Sequence, residues 1–118
     1  MAKTIMVVDD EPDIRETVKT VLLKNGFCVL TAVDGDDCLL KLKKAKPDLI
    51  LMDIMMPGTP VREIIPKIKG VKIVYLSVVR TSEAEKEEIL KEKNIVGFIQ
   101  KPFDISDLVR KVRSFTGA

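Results

Sequence analysis

The stretch DLILMDIMMPG, residues 48–58, decides how the rest of the chain is read. Within it, Leu49 to Met56 holds seven apolar residues and a single acid, Asp53. A carboxylate in so apolar a run is expensive to bury. The run therefore predicts a buried strand over Asp48–Met52 that ends by delivering Asp53 to a surface where its charge is used. A strand apolar on both faces suits a parallel sheet covered on both sides.

Four further apolar runs rich in β-branched residues match it: Thr4–Val8, Cys28–Ala32, Lys72–Leu76 and Val96–Gln100. The five starts lie 20 to 24 residues apart, and only the second run alternates apolar with polar residues. Helical patterns fill the gaps. The first runs from Pro12 to about Asn25, with Ile14, Val18, Val21 and Leu22 on one stripe and Gly26 as its stop. The second follows Asp34, presents Cys38, Leu39, Leu42 and Ala45, and ends before Pro47. The third is short or kinked, because Pro66 removes a donor soon after a start capped by Thr59 with Pro60 in the first position. The fourth opens with the capping-box spacing of Ser82 and Glu85, and is highly charged over Glu83–Lys93. The fifth starts at Asp104 and carries Ile105, Leu108, Val109, Val112 and Phe115. Five strand–helix units predict an α/β, doubly wound (βα)5 flavodoxin-like three-layer sandwich with a parallel five-stranded sheet in the order 2-1-3-4-5.

The bulk numbers fit one domain over residues 1–118. Apolar residues make up 46% and charged residues 32%, which argues for a real core under a solvated surface. A net charge of +2 argues against direct nucleic-acid binding. No apolar run approaches a membrane span and no signal peptide is legible, so a cytoplasmic location is expected. Cys28 and Cys38 lack metal-site spacing and are expected as reduced thiols in or near the core. The chain has no histidine, which removes Ser-His and Cys-His catalysis and His metal sites.

In a doubly wound sheet, function gathers at the carboxyl ends of the strands, beside the switch point between the first and third. The residues falling there are Asp9, Asp10 and Glu11 after the first strand, Asp53 after the third, Ser77 after the fourth and Lys101 after the fifth. Asp9, Asp10 and Asp53 flank the switch point itself; three carboxylates this close repel one another, and a hard divalent cation such as Mg2+ or Ca2+ relieves the repulsion. A lysine opposite them holds an anion as a point charge, and a hydroxyl can donate to the same anion. Acids, cation, lysine and hydroxyl together describe phosphoryl chemistry with an Asp as acceptor.

The motifs VVDDEP, LILMDIMMPG, VYLSVV and FIQKPF, in this order and spacing, resemble the response-regulator receiver domain of two-component signalling over the whole chain. The resemblance implies a single receiver domain without an effector domain, which switches binding rather than turning over substrate as an enzyme. Asp53 would be the phosphoacceptor. Mg2+ would be held by Asp10, Asp53 and the backbone carbonyl of Met55, with Asp9 acting through water. Lys101 would pair with the phosphoryl group, Ser77 would move toward it, and Phe98 would be the aromatic switch position. The donor would be a sensor histidine kinase or phosphotransfer protein. The output would be an unknown downstream protein met through the face of the fourth and fifth helices and the fifth strand, by a monomer or a phosphorylation-dependent dimer. Two positions depart from the family's pattern. Val61 stands where Gly is usual, and Val78 stands where a small residue is usual.

Other readings stay open at this level. A receiver used as an unphosphorylated interaction module has the same sequence pattern. A phosphatase of the haloacid-dehalogenase type also uses an Asp nucleophile with Mg2+, but wants D-x-D after its first strand, where Asp9-Asp10-Glu11 stands here. A flavin carrier wants a phosphate-binding loop there and aromatics to stack on the ring, and the chain has one Tyr and no Trp. The side chains expected nearest the path of a hydrolytic water, Met55 and Val79, are apolar, which predicts a long-lived acyl phosphate.

Overall fold

The computed structural model describes residues 2–54, 56–77, 94–101 and 103–117. Five parallel strands form one sheet: β1 (Thr4–Val8), β2 (Cys28–Ala32), β3 (Leu49–Asp53), β4 (Lys72–Ser77) and β5 (Ile95–Gln100), in the order β2-β1-β3-β4-β5. The expected doubly wound architecture and strand order are both present. The observed β3 and β4 run one residue further than expected at their carboxyl ends, and β5 begins one residue earlier. The early start of β5 coincides with an irregularity. Ile73 pairs with Ile95 but Val74 pairs with Gly97, so Val96 is left over and lies outside the core.

Alternation along the strands divides the apolar residues between two cores. Met6, Val8, Ile50, Met52, Ile73 and Tyr75 face one side, where Ile64 and Ile65 cover them. Ile5, Val7, Leu49, Leu51, Val74 and Leu76 face the other, under Val18, Leu22, Leu108 and Val112. That explains why these strands read as unbroken apolar runs. Each fully buried aliphatic side chain stabilises the fold by about 1.5–3 kcal/mol through the area it removes from water.

The helices begin and end where local chemistry dictates. Helix α1 (Pro12–Lys24) has Pro in its first turn, and Gly26 follows its end at φ 90°. Helix α2 (Gly35–Leu42) is capped by Asp34, whose carboxylate accepts the Asp37 N–H at 2.8 Å. Gly35 is required by packing, since a Cβ there would lie 2.6 Å from Ile64 Cγ1. Helix α3 (Val61–Ile64) is a single turn that tightens into a 3-10 turn over Ile65–Lys67 around Pro66, as the missing donor predicts. Its start differs from expectation. Pro60 occupies the cap position, and the Thr59 hydroxyl donates instead to the Asp36 carboxylate at 3.0 Å. The C-terminal helix (Ile105–Thr116) is capped by Asp104, which accepts the Ser106 N–H, and stops at Gly117 with φ 74°. The expected fourth helix falls outside the described residues.

Cys38 lies in the core as expected, but Cys28 does not. It opens the edge strand β2 and is exposed.

Candidate functional site

The strand register builds the site. Val8 of β1 pairs with Met52 of β3, so the next residues, Asp9 and Asp53, leave neighbouring strands side by side. Asp53 pairs with Leu76 of β4, and Ser77 pairs with Gln100 of β5, so Ser77 and Lys101 close the same edge of the sheet. Four residues scattered over the sequence, Asp9, Asp53, Ser77 and Lys101, thus reach the carboxyl end of one sheet.

Asp9 is held from several directions. Its N–H donates to the Ala32 carbonyl at 3.2 Å, and its own carbonyl accepts from the Arg15 guanidinium at 2.7 Å. Oδ1 of its side chain accepts the Glu11 N–H at 2.9 Å, a local turn that starts α1. Oδ2 accepts from the Lys101 ammonium at 2.7 Å. Lys101 lies 3.6 Å from Asp53 Oδ2 as well. Arg15 was not foreseen as part of this arrangement. The signal for it is its place on α1, facing back over the strand end that precedes the helix.

Burial revises one expectation. Asp53 does not reach an open surface: it is 3% exposed, and Asp9 and Lys101 are 0% and 4% exposed. Asp10 is the most open of the three acids. The buried carboxylates are tolerated because an ammonium sits between them, and because hydrogen bonds occupy the Asp9 oxygens.

One carboxylate oxygen from each of Asp9, Asp10 and Asp53 lies within 4.8 Å of the other two. Oxygens around an octahedral Mg2+ sit about 2.0–2.1 Å from the ion, so they stand roughly 3–4 Å apart across its faces and axes. The donor set is all oxygen, which suits a hard cation. Met55, the expected carbonyl ligand, and Val78, Val79 and Pro102 lie outside the described residues.

Phe98 is half-buried and packs against the first core. Its ring lies 5.6 Å from that of Tyr75, its register partner on β4, at 44°. A groove of about 400 Å³ adjoins the site, between Ile14 and Thr17 of α1 and Phe103 and Ile105 beyond β5, with Lys101 in its wall.

This fold, with acids ending β1 and β3 and a lysine following β5, defines a receiver. The chain matches the response regulator receiver domain family over residues 5–113 and belongs to that family, whose members act in two-component signalling. It is similar to a CheY-like response regulator receiver domain protein of Methanospirillum hungatei, at 36% identity over 97% of this chain and 94% of that one, with a TM-score of 0.84. It is also similar to chemotaxis protein CheY4 of Vibrio cholerae, at 29% identity over 98% of this chain and 99% of that one, with a TM-score of 0.87. A response regulator of Thermotoga maritima matches at 26% identity over the full length of both chains, with a TM-score of 0.84. Receiver domains bind Mg2+ at an acidic pocket, are in general not turnover enzymes, and work with a phosphodonor protein and a downstream partner. Among the described residues, no helix is long and apolar enough to cross a membrane.

Proposed function

We propose that this chain accepts a phosphoryl group on Asp53 from a histidine kinase or phosphotransfer protein, and thereby switches its affinity for a second protein. The observation that carries the reading is the buried trio. Asp9, Asp53 and Lys101 are the buried charged side chains among the described residues, and they meet at one end of the sheet. Charges that are costly to bury gather here, at the switch point where doubly wound folds place their chemistry.

The residues divide the work. Both Asp9 oxygens are already engaged, by Glu11 N–H and by Lys101, so Asp9 would act on the cation through water. Asp10 and Asp53, with the Met55 carbonyl, would hold the cation directly. When bound, Mg2+ neutralises charge between the acceptor and the incoming phosphoryl group. An Asp53 oxygen forms the new bond to phosphorus. The bond from phosphorus to the donor's imidazole nitrogen breaks, and that nitrogen keeps the electron pair. Lys101, 3.6 Å from Asp53, offers its ammonium to a phosphoryl oxygen. The groove between α1 and Phe103 opens beside Lys101 and gives a protein donor a place to approach.

The loaded acid carries about two negative charges in place of one. Lys101 and the Ser77 hydroxyl respond to that charge, and the change reaches Phe98 on β5 and the surface formed by β5 and its neighbouring helices. A downstream protein reads that surface, as a partner of a monomer or of a phosphorylation-dependent dimer.

The test is intact-protein mass spectrometry after incubation with Mg2+ and a small acyl phosphate or phosphoramidate. The native chain gains one phosphoryl group, and Asp53→Asn does not. No gain with either donor would leave the unphosphorylated interaction module as the better account.

A further inference from the structure

The end of the sheet opposite the acids carries a second feature. A cleft of about 470 Å³ lies between the end of α2 and the 3-10 turn after α3, within the size range of ligand pockets. Its floor is aliphatic: Leu39 and Leu42 from α2, Ile68 after the turn, and Val71 just before β4. Its rim is four lysines, Lys43, Lys46, Lys67 and Lys69, and among the described residues no acid lines it. All four lysines are exposed, and none makes an ion pair or hydrogen bond among the described residues.

Helix chemistry explains only part of this. Basic residues near the end of α2 complement its dipole, which accounts for Lys43. Lys67 and Lys69 come from a different part of the chain, yet face the same cleft. Like charges brought together around an apolar floor repel one another unless an anion answers them. The chain as a whole carries only +2, so this is a local concentration of charge, not a general basic surface.

We propose that this cleft docks an acidic segment of a partner protein, with one apolar side chain of that segment on the aliphatic floor and flanking carboxylates on the lysines. The concave apolar floor favours a peptide over a polyphosphate chain, which would have nothing to place there. It also disfavours a membrane surface, which takes protruding apolar side chains rather than a recess. The cleft lies beyond the amino ends of β3 and β4, whereas Asp53 ends β3, about 16 Å away along a five-residue strand. Docking therefore leaves the carboxyl end of the sheet uncovered, and the same molecule can be tethered at one end while it is loaded at the other. The proposal does not depend on the function assigned to Asp53.

The test uses a labelled peptide with a central Leu flanked on each side by Glu residues, titrated into the full chain. Binding is read by anisotropy, and its location by amide shifts in the NMR spectrum. The peptide is expected to shift Leu39, Leu42, Ile68 and Val71. A Lys43→Glu/Lys67→Glu variant is expected to weaken binding about tenfold, and raised salt to weaken it further. Lys24→Glu, on the exposed end of α1, is expected to bind as the native chain does. Phosphorylation of Asp53 is expected to proceed equally in all three proteins, which separates this result from the fate of the site assignment. Three results would overturn the proposal: no binding at millimolar peptide, equal binding by a peptide with Ser in place of Leu, or tighter binding to phosphatidylserine vesicles or oligonucleotide than to the peptide.

Discussion

The Lys101 ammonium donates to Oδ2 of Asp9 at 2.7 Å, although 92 positions separate the two residues in sequence. Both side chains are buried, and Lys101 is closer to Asp9 than to Asp53. Removing one partner of a buried pair leaves an uncompensated charge and costs about 3–5 kcal/mol. Lys101→Met, which keeps the volume and loses the charge, should lower the unfolding free energy by that amount in urea without divalent ions. Added Mg2+ should restore part of the loss. A change under about 1 kcal/mol would mean that the pair contributes little to holding the acids in place.

Binding of a cation to the folded state alone should stabilise it by mass action. At a Mg2+ concentration ten times the dissociation constant, the gain is about 1.4 kcal/mol, visible as a rise in Tm. Asp10→Ala should lose this gain. Without Mg2+ it should be at least as stable as the native chain, because one of three mutually repelling carboxylates has gone. An equal Mg2+ response in the variant would move the ion away from Asp10.

Cys38 makes stability sensitive to high pH. Burial, aided by the nearby Asp37 charge, pushes its thiol up from 9.0 to about 12. The folded chain holds that proton where the unfolded chain has released it. The contribution is complete below pH 9 and is lost as pH rises toward 12, at about 1.4 kcal/mol per pH unit. Denaturation curves between pH 8 and about 11 should fall more steeply for the native chain than for Cys38→Ala. A thiol reagent at neutral pH should label exposed Cys28 in the folded protein, and Cys38 only after unfolding.

Gly97 marks a close approach of β5 to the C-terminal helix. A Cβ at that position would lie 2.6 Å from Phe115 Cζ. Gly97→Ala should destabilise the domain by about 1–3 kcal/mol, as overpacking does. Adding Phe115→Leu should recover part of it. Additive losses in a double-mutant cycle would show that the two positions do not touch.

The lifetime of the loaded acid bears on Met55, which lies outside the described residues. Its side chain cannot hydrogen-bond a water, so the phosphorylated chain should lose its phosphoryl group slowly. Met55→Asn should shorten that lifetime about tenfold, equivalent to about 1.4 kcal/mol in the barrier. An unchanged decay rate, followed by mass spectrometry, would remove Met55 from any role in orienting water.

Much of the fold was legible because period and punctuation agree along the chain. Asp34 and Asp104 cap helices as their residue type predicts, and Pro66 shortens α3 as its missing donor requires. Thr59 was misread because a hydroxyl can serve any nearby acceptor, and Asp36 lies across a loop that sequence spacing does not measure. Cys28 was misread because a thiol fits a core or an edge equally well. Arg15 was missed because its partner is a backbone carbonyl, and every residue has one.

The acid in DLILMDIMMPG shows where the division falls. Sequence alone determined that Asp53 ends an apolar strand, that the strands lie parallel, and that Asp9, Asp10, Ser77 and Lys101 follow strands in the same way, because these are matters of local period and position. Only the tertiary structure decided that Asp53 is buried rather than open, that Lys101 holds Asp9 more closely than Asp53, and that lysines from two separate segments share one cleft. Those facts depend on distances between residues far apart in the chain. Such distances are set by register and packing, which no stretch of sequence contains by itself.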